Sequence, residues 1–279
     1  MDAVRLGPLV FGIERFAAIL GVVAFLAAVW WLARRREPDV AERLHAWSWQ
    51  ALLWGAVAGR LGHVVAHWES FSAEPWRVVA FWQGGFSVQA MLVALVVVTV
   101  LASSGLRGVQ RPAIIALALG LATWQATGLL RGPLQAPPLP TDVFTAIDGR
   151  EIRIADREGR PLVINLWATW CAPCRRELPM MAELAAAHPD IDVAFANQRE
   201  APQRVGMFLA TERLELGIVI LDTEGILGRH YGALGLPTTV FLDAEGRLQQ
   251  KYVGEMSREA FAAGLARLQA GAASAANAP

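Results

Sequence analysis

Several residue types are scarce in this chain. It contains only two cysteines and a single lysine in 279 residues, and charged residues make up 18% of it. Two cysteines are too few for a disulfide-stapled scaffold or for a Cys-rich zinc site. The net charge is zero, so the chain lacks the basic surface that binds nucleic acid, and we expect no nucleic-acid partner.

Charge is sparsest before residue 132, where four apolar runs follow one another. A transmembrane helix needs about 20 mostly apolar residues, and the runs approach that length: Phe16–Leu32, Trp47–Val65, Phe86–Leu106 and Pro112–Leu130. The cluster Arg34–Arg36 follows the first run, which disfavours a secretory signal and leaves a buried core helix as the alternative. Residues 1–132 are therefore predicted to form an α-helical membrane domain of about four transmembrane helices in a lipid bilayer.

The distribution of arginine predicts how these helices are oriented. The segments after the first and third runs are arginine-rich, whereas the segment between the second and third runs is not; the arginines of the rich segments are Arg34–Arg36, Arg43, Arg107 and Arg111. Because positively charged loops stay in the cytoplasm, both termini are predicted to lie outside. The C-terminal domain would then be on the periplasmic side of a bacterial inner (cytoplasmic) membrane.

The composition changes at residues 133–140, which read PLQAPPLP and are predicted to be a semi-rigid linker. Residues 141–270 then alternate short apolar strands with amphipathic helices, which is typical of an α/β domain. The predicted strands are 151–155, 161–167, 191–196, 218–221, 238–242 and 248–253, and the predicted helices are 171–187, 202–212 and 258–268. Residues 271–279 are rich in Ala, Ser and Asn and are predicted to be a disordered tail.

The two cysteines, Cys171 and Cys174, stand where the second of these strands is followed by a helix. Unpaired N–H groups and the helix dipole at a helix N-terminus stabilise a thiolate. Cys171 is therefore predicted to be the attacking nucleophile, and Cys174, one turn into the helix, the resolving cysteine. Zinc is the usual alternative for a C-x-x-C pair, but it needs two more ligands, and besides carboxylates the domain offers only His188 and His230. We expect no metal and no cofactor beyond a redox-active Cys171–Cys174 disulfide.

The stretch Val163-Ile-Asn-Leu-Trp-Ala-Thr-Trp-Cys-Ala-Pro-Cys174 resembles the active-site segment of thioredoxin-fold proteins. Pro179 matches the proline that kinks the active-site helix of thioredoxins, although proline inside a helix costs about 3 kcal/mol. The stretch Leu236-Pro237-Thr238-Thr239 resembles their cis-proline loop, with an ordinary trans-proline turn as the alternative. The resemblance implies a thioredoxin fold for residues 141–270.

Glu177, three residues after Cys174, and a long insertion before the cis-proline loop resemble the TlpA/ResA group of membrane-anchored extracytoplasmic thiol oxidoreductases. In that group a glutamate at this place is implicated in tuning the cysteines, so Glu177 becomes a candidate catalytic residue. A surface glutamate paired with an arginine is the alternative. Asn165 stands where thioredoxin has a buried aspartate that accepts a proton, and an amide cannot accept one, which moves the acid–base role to Glu177.

The resemblance also implies a substrate and a direction. Pro237 joins the catalytic set, and substrate contacts are expected from five residues around the dithiol: Trp170, Ala172, Pro173, Leu236 and Thr238. Members of the group are often reductases for cytochrome c maturation or metal-site assembly, so we expect a reductase of extracytoplasmic protein disulfides; a thiol oxidase using the same dithiol is the alternative. No cysteine precedes Cys171, so a separate membrane thiol electron donor is expected.

Residues 6–131 resemble the first part of prolipoprotein diacylglyceryl transferase. Gly59-Arg-Leu-Gly-His63 and Trp82-Gln-Gly-Gly-Phe-Ser87 match two motifs of that enzyme, but Gln89 stands in place of its histidine. An arginine within a span costs about 2.5 to 3.5 kcal/mol on insertion scales, which makes Arg60 a functional candidate. The domain is predicted to be non-catalytic; a lipid- or lipoprotein-related membrane protein with a passenger redox domain is the alternative.

Overall fold

The computed structural model describes residues 3–7, 9–103, 108–129, 137–156 and 159–276. The chain separates into two units. The first, which we call the helical unit, is Ile13–Arg131. The second, the sheet unit, joins Met1–Gly12 to Gly132–Pro279. Residues 133–136 of the predicted linker lie outside the described residues.

The described residues of the helical unit form α-helices and two 3-10 turns. Its helices are α1 (Ile13–Ala33), α2 (Pro38–Ala66), α3 (Trp68–Ala73), α4 (Val88–Ser103) and α5 (Gln110–Leu129), with 3-10 turns at Pro75–Val79 and Phe81–Gln83. Helix α1 packs along α5, and α2 packs along α4. A Cβ atom added at Gly21 would lie 3.0 Å from the carbonyl oxygen of Gly120, so glycine lets the backbones of α1 and α5 approach closely.

Each predicted transmembrane run falls largely on a helix, but the helices differ in length and polarity. Within the described part of the chain, α1 and α5 are long and apolar enough to cross a membrane. Helix α2 contains Arg60 and His63, and the described part of α4 has 16 residues. The last residues of the third run and the Arg107 that follows it lie outside the described residues. Two helices therefore meet both requirements, and a total of about four stays a prediction.

The sheet unit begins with a short antiparallel hairpin, β1 (Ala3–Leu6) and β2 (Leu9–Gly12), which the sequence did not lead us to predict. The main sheet has seven strands: β3 (Val143–Ala146), β4 (Glu151–Arg153), β5 (Leu162–Trp167), β6 (Asp192–Gln198), β7 (Ile218–Asp222), β8 (Thr238–Leu242) and β9 (Leu248–Val253). Their order is β4-β3-β7-β6-β5-β8-β9. Strands β5, β6 and β7 are parallel, and the flanking strands pair antiparallel. Among the described residues of this unit, four helices accompany the sheet: α6 (Ala172–Ala187), α7 (Pro202–Glu212), α8 (Ile226–His230) and α9 (Arg258–Ala276).

Strand β5 is buried along its whole length. Its side chains alternate between the faces of the sheet, so Val163 and Trp167 contribute to the core under α6 and α9. Ile164 and Leu166 contribute to the opposite core, which includes residues of α8. Apolar side chains on both faces explain why the sequence of this strand shows no polar alternation. The two cores fix the carboxyl end of β5, from which the chain enters α6.

The strands and helices predicted for this unit are present, with differences at their ends. Strand β3 and helix α8 were not predicted, and a 3-10 turn at Ile154–Asp156 replaces the end of the first predicted strand. Helix α9 continues to Ala276, so residues 271–276 are helical where the sequence predicted a disordered tail. Alanine has the highest helix propensity of all residues, and this stretch is mostly alanine. Residues 277–279 lie outside the described residues.

Candidate active site

Cys171 is the N-cap residue of α6. Its sulfur accepts a hydrogen bond from the Cys174 N–H, with an N···S distance of 3.3 Å. The two cysteine sulfurs are joined in a disulfide with an S–S distance of 2.05 Å. After reduction, the Cys171 sulfur lies among the unpaired N–H groups of a helix N-terminus, which stabilise negative charge. The predicted site of thiolate formation therefore coincides with the start of the helix.

The dithiol is accessible from one side. Trp170, immediately before Cys171, exposes 68% of its surface, Ala172 is exposed, and Pro173 is half-buried. Cys174 is completely buried, whereas a small part of Cys171 reaches the surface. An approaching disulfide therefore meets Cys171 first, with the Trp170 ring beside it.

The Leu236–Pro237 peptide bond is cis, as predicted. Thr238 pairs with Leu166 in the register of β8 with β5, so the loop before β8 lies at the end of the sheet where α6 begins. Leu236 packs against the core cluster that includes Cys171 and Cys174. Pro237 is buried, and the Thr238 hydroxyl donates to the Gly235 carbonyl oxygen at 2.7 Å. The cis-proline loop thus lies at the end of the sheet where the dithiol is, with Leu236 packed against the core that contains both cysteines.

Glu177 is a buried carboxyl one turn beyond Cys174, and it exposes only 2% of its surface. The surface ion pair that we considered as an alternative is therefore wrong. Both carboxyl oxygens accept hydrogen bonds: Oε1 from the Asn165 side-chain amide at 2.9 Å and Oε2 from the Met256 backbone N–H at 2.9 Å. Asn165, in the central strand, also donates to the Thr239 hydroxyl at 3.1 Å. Glu177 is thus fixed between α6, β5 and the segment after β9.

The surroundings of Glu177 favour its neutral form. Burial raises the pKa of Glu177 to about 8, although the hydrogen bonds from Met256 and Asn165 lower it. The nearby Glu255 carboxylate raises this pKa further, and the Arg176 guanidinium opposes that effect. A carboxyl with a pKa near neutrality can accept and release a proton at physiological pH. Among the carboxyls of the site, Glu177 is therefore suited to proton transfer.

A second buried carboxylate, Glu200, supports the loop before the dithiol and was not predicted. Its Oε2 atom accepts from the Thr169 backbone N–H at 2.6 Å, and its Oε1 atom accepts from the Thr169 hydroxyl at 2.5 Å. The Asn197 side-chain amide also donates to Oε2, at 2.8 Å. The sequence offered one signal for Glu200, namely an acidic residue just after β6. Neighbouring parallel strands end at the same edge of a sheet, so a residue after β6 is expected to lie near the end of β5.

In the helical unit, Arg60 is also buried, and its guanidinium is directed at backbone carbonyls. Nε donates to Val78 O at 2.9 Å, and Nη1 donates to Gly84 O at 2.7 Å and Gly85 O at 3.0 Å. Nη2 donates to Arg77 O and, at 3.4 Å, to Ala80 O. The side chain of Arg60 therefore organises the two 3-10 turns between α3 and α4.

The mixed sheet and the dithiol at the start of α6 place the sheet unit in the class of thioredoxin-like thiol-disulfide oxidoreductases. Residues 135–266 match the family model of redoxin. The chain belongs to the redoxin family, within its group of ResA-type thiol-disulfide oxidoreductases. Residues 3–128 match the family model of prolipoprotein diacylglyceryl transferase.

Two relatives agree with this assignment by sequence, and one solved structure is also similar. The thiol-disulfide oxidoreductase ResA of Bacillus thuringiensis is 30% identical over 122 residues, which cover 43% of this chain and 70% of ResA. The thiol:disulfide interchange protein DsbE of Pseudomonas fluorescens is 32% identical over 147 residues, which cover 50% of this chain and 82% of DsbE. The crystal structure of StoA from Bacillus subtilis is 26% identical and has a TM-score of 0.41, covering 46% of this chain and 98% of StoA.

Proposed function

We propose that this protein is a membrane-anchored reductase of extracytoplasmic protein disulfides, with Cys171 as nucleophile, Cys174 as resolving cysteine and Glu177 as proton carrier. The observation that carries the proposal is the buried Glu177 carboxyl, whose burial raises its pKa to about 8. Trp170, Ala172 and Pro173, together with the cis-proline loop, are proposed to bind the substrate.

The proposed reaction proceeds through a mixed disulfide. The Cys171 thiolate attacks one sulfur of the substrate disulfide and releases the other substrate sulfur as a thiolate. Cys174 then loses its proton and attacks the Cys171 sulfur, which closes the intramolecular disulfide and releases the second substrate thiolate. Two electrons pass to the substrate, and its two thiolates take up one proton from Cys174 and one from solvent.

Glu177 supplies the proton path for the second step. It lies three residues after Cys174, and residues at that spacing share a helix face. The ionised carboxyl accepts the Cys174 proton as the thiol attacks, and it returns that proton to the departing substrate thiolate. A carboxyl with an ordinary pKa would be too weak a base for this exchange, since a cysteine thiol has a pKa of about 8.5.

The same carboxyl supports the reducing direction. In its ionised form, which becomes the major form only above a pH of about 8, Glu177 opposes the formation of thiolates beside it. A dithiol whose reduced form is poorly stabilised gives up its electrons more readily, and strong oxidants are those whose reduced form is stabilised. The substrates that suit such a donor are extracytoplasmic proteins whose cysteines must be reduced before haem or metal attachment, as in cytochrome c maturation.

The proposed location rests on the helical unit. Helices α1 and α5 can cross a membrane by length and composition, and the arginines after α1 would keep that loop in the cytoplasm. With α2 and α4 also crossing, the sheet unit is proposed to lie on the periplasmic side. No cysteine precedes Cys171, so the electrons are proposed to come from a separate membrane thiol donor.

The direction of the reaction is tested by the thiol state in growing cells. Cells are quenched in acid, free thiols are alkylated with a reagent that adds mass, and the mobility of the full chain is compared with that of a Cys171→Ser/Cys174→Ser control. A mostly reduced pair is the expected result. A mostly oxidised pair would instead identify a thiol oxidase. Covalent capture of substrates by a Cys174→Ser variant would then name the partner.

A lipid-related role for the helical unit is the second candidate, because residues 3–128 match the diacylglyceryl transferase family model. The two candidates differ in which variant fails to restore the phenotype of cells that lack the protein. The reductase requires Cys171 and tolerates loss of the Arg60 charge if the helical unit stays folded. If Cys171→Ser preserved the phenotype and Arg60→Ala abolished it in a stably expressed protein, the lipid-related role would be the correct one.

A further inference from the structure

The segment Gly254–Ser257, which we call the 254 loop, connects the substrate-binding loop to the proton carrier. It follows β9, and the Gly254 N–H donates to the Pro237 carbonyl oxygen at 2.8 Å. Gly254 has a φ of 101°, a conformation that glycine adopts more readily than any other residue. Two residues later, the Met256 N–H donates to Glu177. One short loop therefore touches both the cis-proline loop and Glu177.

An ion pair fastens this loop to α6. The Arg176 guanidinium donates through Nε and Nη2 to Oε2 of Glu255, with a distance of 3.1 Å for Nε. The Glu255 side chain is only 6% exposed, whereas that of Arg176 is 49% exposed. Two consecutive residues of the helix thus bind two consecutive residues of the loop, Arg176 to Glu255 and Glu177 to Met256.

The charges around Glu177 come from the same two elements. From the 254 loop, the Glu255 carboxylate raises the pKa of Glu177, and from α6 itself the Arg176 guanidinium lowers it. The groups that β5 and β8 contribute to this network, Asn165 and Thr239, are neutral. On α6, Cys171 and Cys174 do not titrate while they are joined in the disulfide. In the oxidised protein, the ion pair is therefore the local source of charge beside the proton carrier.

We propose that Arg176 and Glu255 are positioning residues that hold the Glu177 carboxyl in place and set the pH range in which the dithiol works. This inference rests on the proposed role of Glu177. Neither residue touches the substrate disulfide in the proposed reaction. They act through Glu177, and removing one charge or the other has opposite electrostatic consequences.

The test is a titration of Glu177 in the oxidised full-length protein in detergent. The infrared band of the protonated carboxyl is followed against pH and assigned by its loss in Glu177→Gln. Arg176→Gln should move the midpoint to higher pH and Glu255→Gln should move it to lower pH, each by on the order of one pH unit. Arg176→Lys, which keeps the charge, should restore most of the wild-type midpoint. The pH profile of disulfide reduction should shift in the same sense.

The matched control is the neighbouring pair on the same helix. Arg175 binds Glu212 at 2.7 Å, and both side chains are well exposed, so Arg175→Gln should leave the midpoint of Glu177 unchanged. A purely structural role for the buried pair predicts shifts in the same direction for Arg176→Gln and Glu255→Gln. That result, or no shift in either, would overturn the inference.

A third variant covers the case in which one single change prevents folding. Arg176→Gln/Glu255→Gln removes both charges, so its midpoint should lie between those expected for the two single variants; a midpoint outside that interval contradicts the inference.

Failure of the proposed function is a separate result. If the wild-type protein reduces no disulfide and Cys174→Ser captures no substrate, the reductase fails whatever the infrared band does.

Discussion

The two units each bury one charged side chain, and the partners of those side chains differ. Glu177 in the sheet unit accepts two hydrogen bonds and lies one turn from a reactive cysteine. Arg60 in the helical unit donates to the backbone carbonyls of the two turns that follow α3. Burial alone does not distinguish them, since both side chains are less than one tenth exposed.

What distinguishes them is whether a second charge state is available. Burial brings the pKa of Glu177 into the physiological range, so the protein can use both its neutral and its ionised form. An arginine stays protonated in proteins, and its donors bind carbonyls that have no proton to exchange. We therefore interpret Glu177 as a group that transfers a proton and Arg60 as a group that stabilises the fold. The following variants test that distinction, beginning with the largest expected effect.

Loss of the nucleophile should have the largest effect. Cys171→Ser removes the thiolate that attacks the substrate, so disulfide reduction by the full-length protein should fall to the uncatalysed rate in an insulin turbidity assay. Thermal unfolding of the helical unit should not change. Cys174→Ser should still form a mixed disulfide but should not release it. Residual turnover in Cys171→Ser would mean that the reaction begins elsewhere.

Removal of the Arg60 charge should affect stability and not redox chemistry. Arg60→Met removes the side-chain donor from five backbone carbonyl oxygens of the two turns that follow α3, which we expect to cost roughly 3 kcal/mol or more. The measurement is thermal unfolding in detergent, with disulfide reduction assayed below the transition. The control is Arg43→Met in the same helix, because Arg43 forms an exposed pair with Asp39. If both variants unfolded alike, the structural interpretation of Arg60 would be wrong.

The stability of the oxidised protein should depend on pH through Glu177. Its pKa rises from 4.5 to about 8 on folding, so the folded state binds more protons between these two values. Stability should therefore fall as pH rises from about 4.5 to 8, by on the order of 3 to 5 kcal/mol. Glu177→Gln should lack this loss and be more stable than the wild type at pH 8. Parallel pH profiles for the two proteins would contradict the assigned proton affinity.

Weakening the support of the active-site loop should have the smallest effect. Glu200→Gln replaces the charged acceptor of the Thr169 N–H and hydroxyl, and we expect a cost of about 1 to 2 kcal/mol. The rate at which reduced Cys171 is alkylated should fall modestly, because the loop before it becomes less ordered. The control is Glu212→Gln, because the Glu212 side chain is well exposed; this variant should change neither the stability nor the alkylation rate.

The sequence predicts the parts of the site that neighbour one another along the chain. The C-x-x-C spacing and the preceding apolar strand locate Cys171 and Cys174, and the resemblance to the TlpA/ResA group adds Glu177 one turn later. The Leu236-Pro237 pair was identified because its residue types match a known loop. Each of these features is recognised from residues that are close together in the sequence, so it can be predicted without knowing the tertiary contacts.

Other parts depend on contacts between distant segments, and the sequence alone did not indicate them. Met256 contributes a backbone N–H, which every residue except proline possesses, so its identity carries no signal. Glu255 and Glu200 look like ordinary surface carboxylates until the fold buries them beside α6 and β5. The helical unit shows the same limit, because the hydropathy of α2 and α4 does not decide whether they cross a membrane.

The sulfur of Cys171 is both the reacting atom and the acceptor for the Cys174 N–H in the first turn of α6. Every step that changes the bonding of this sulfur therefore also changes how the first turn of the helix is held. Hydrogen exchange at the Cys174 amide should consequently differ between the disulfide, the thiolate and the mixed disulfide. The exchange rate of this single amide proton should therefore distinguish the three states of the catalytic cycle without any added probe.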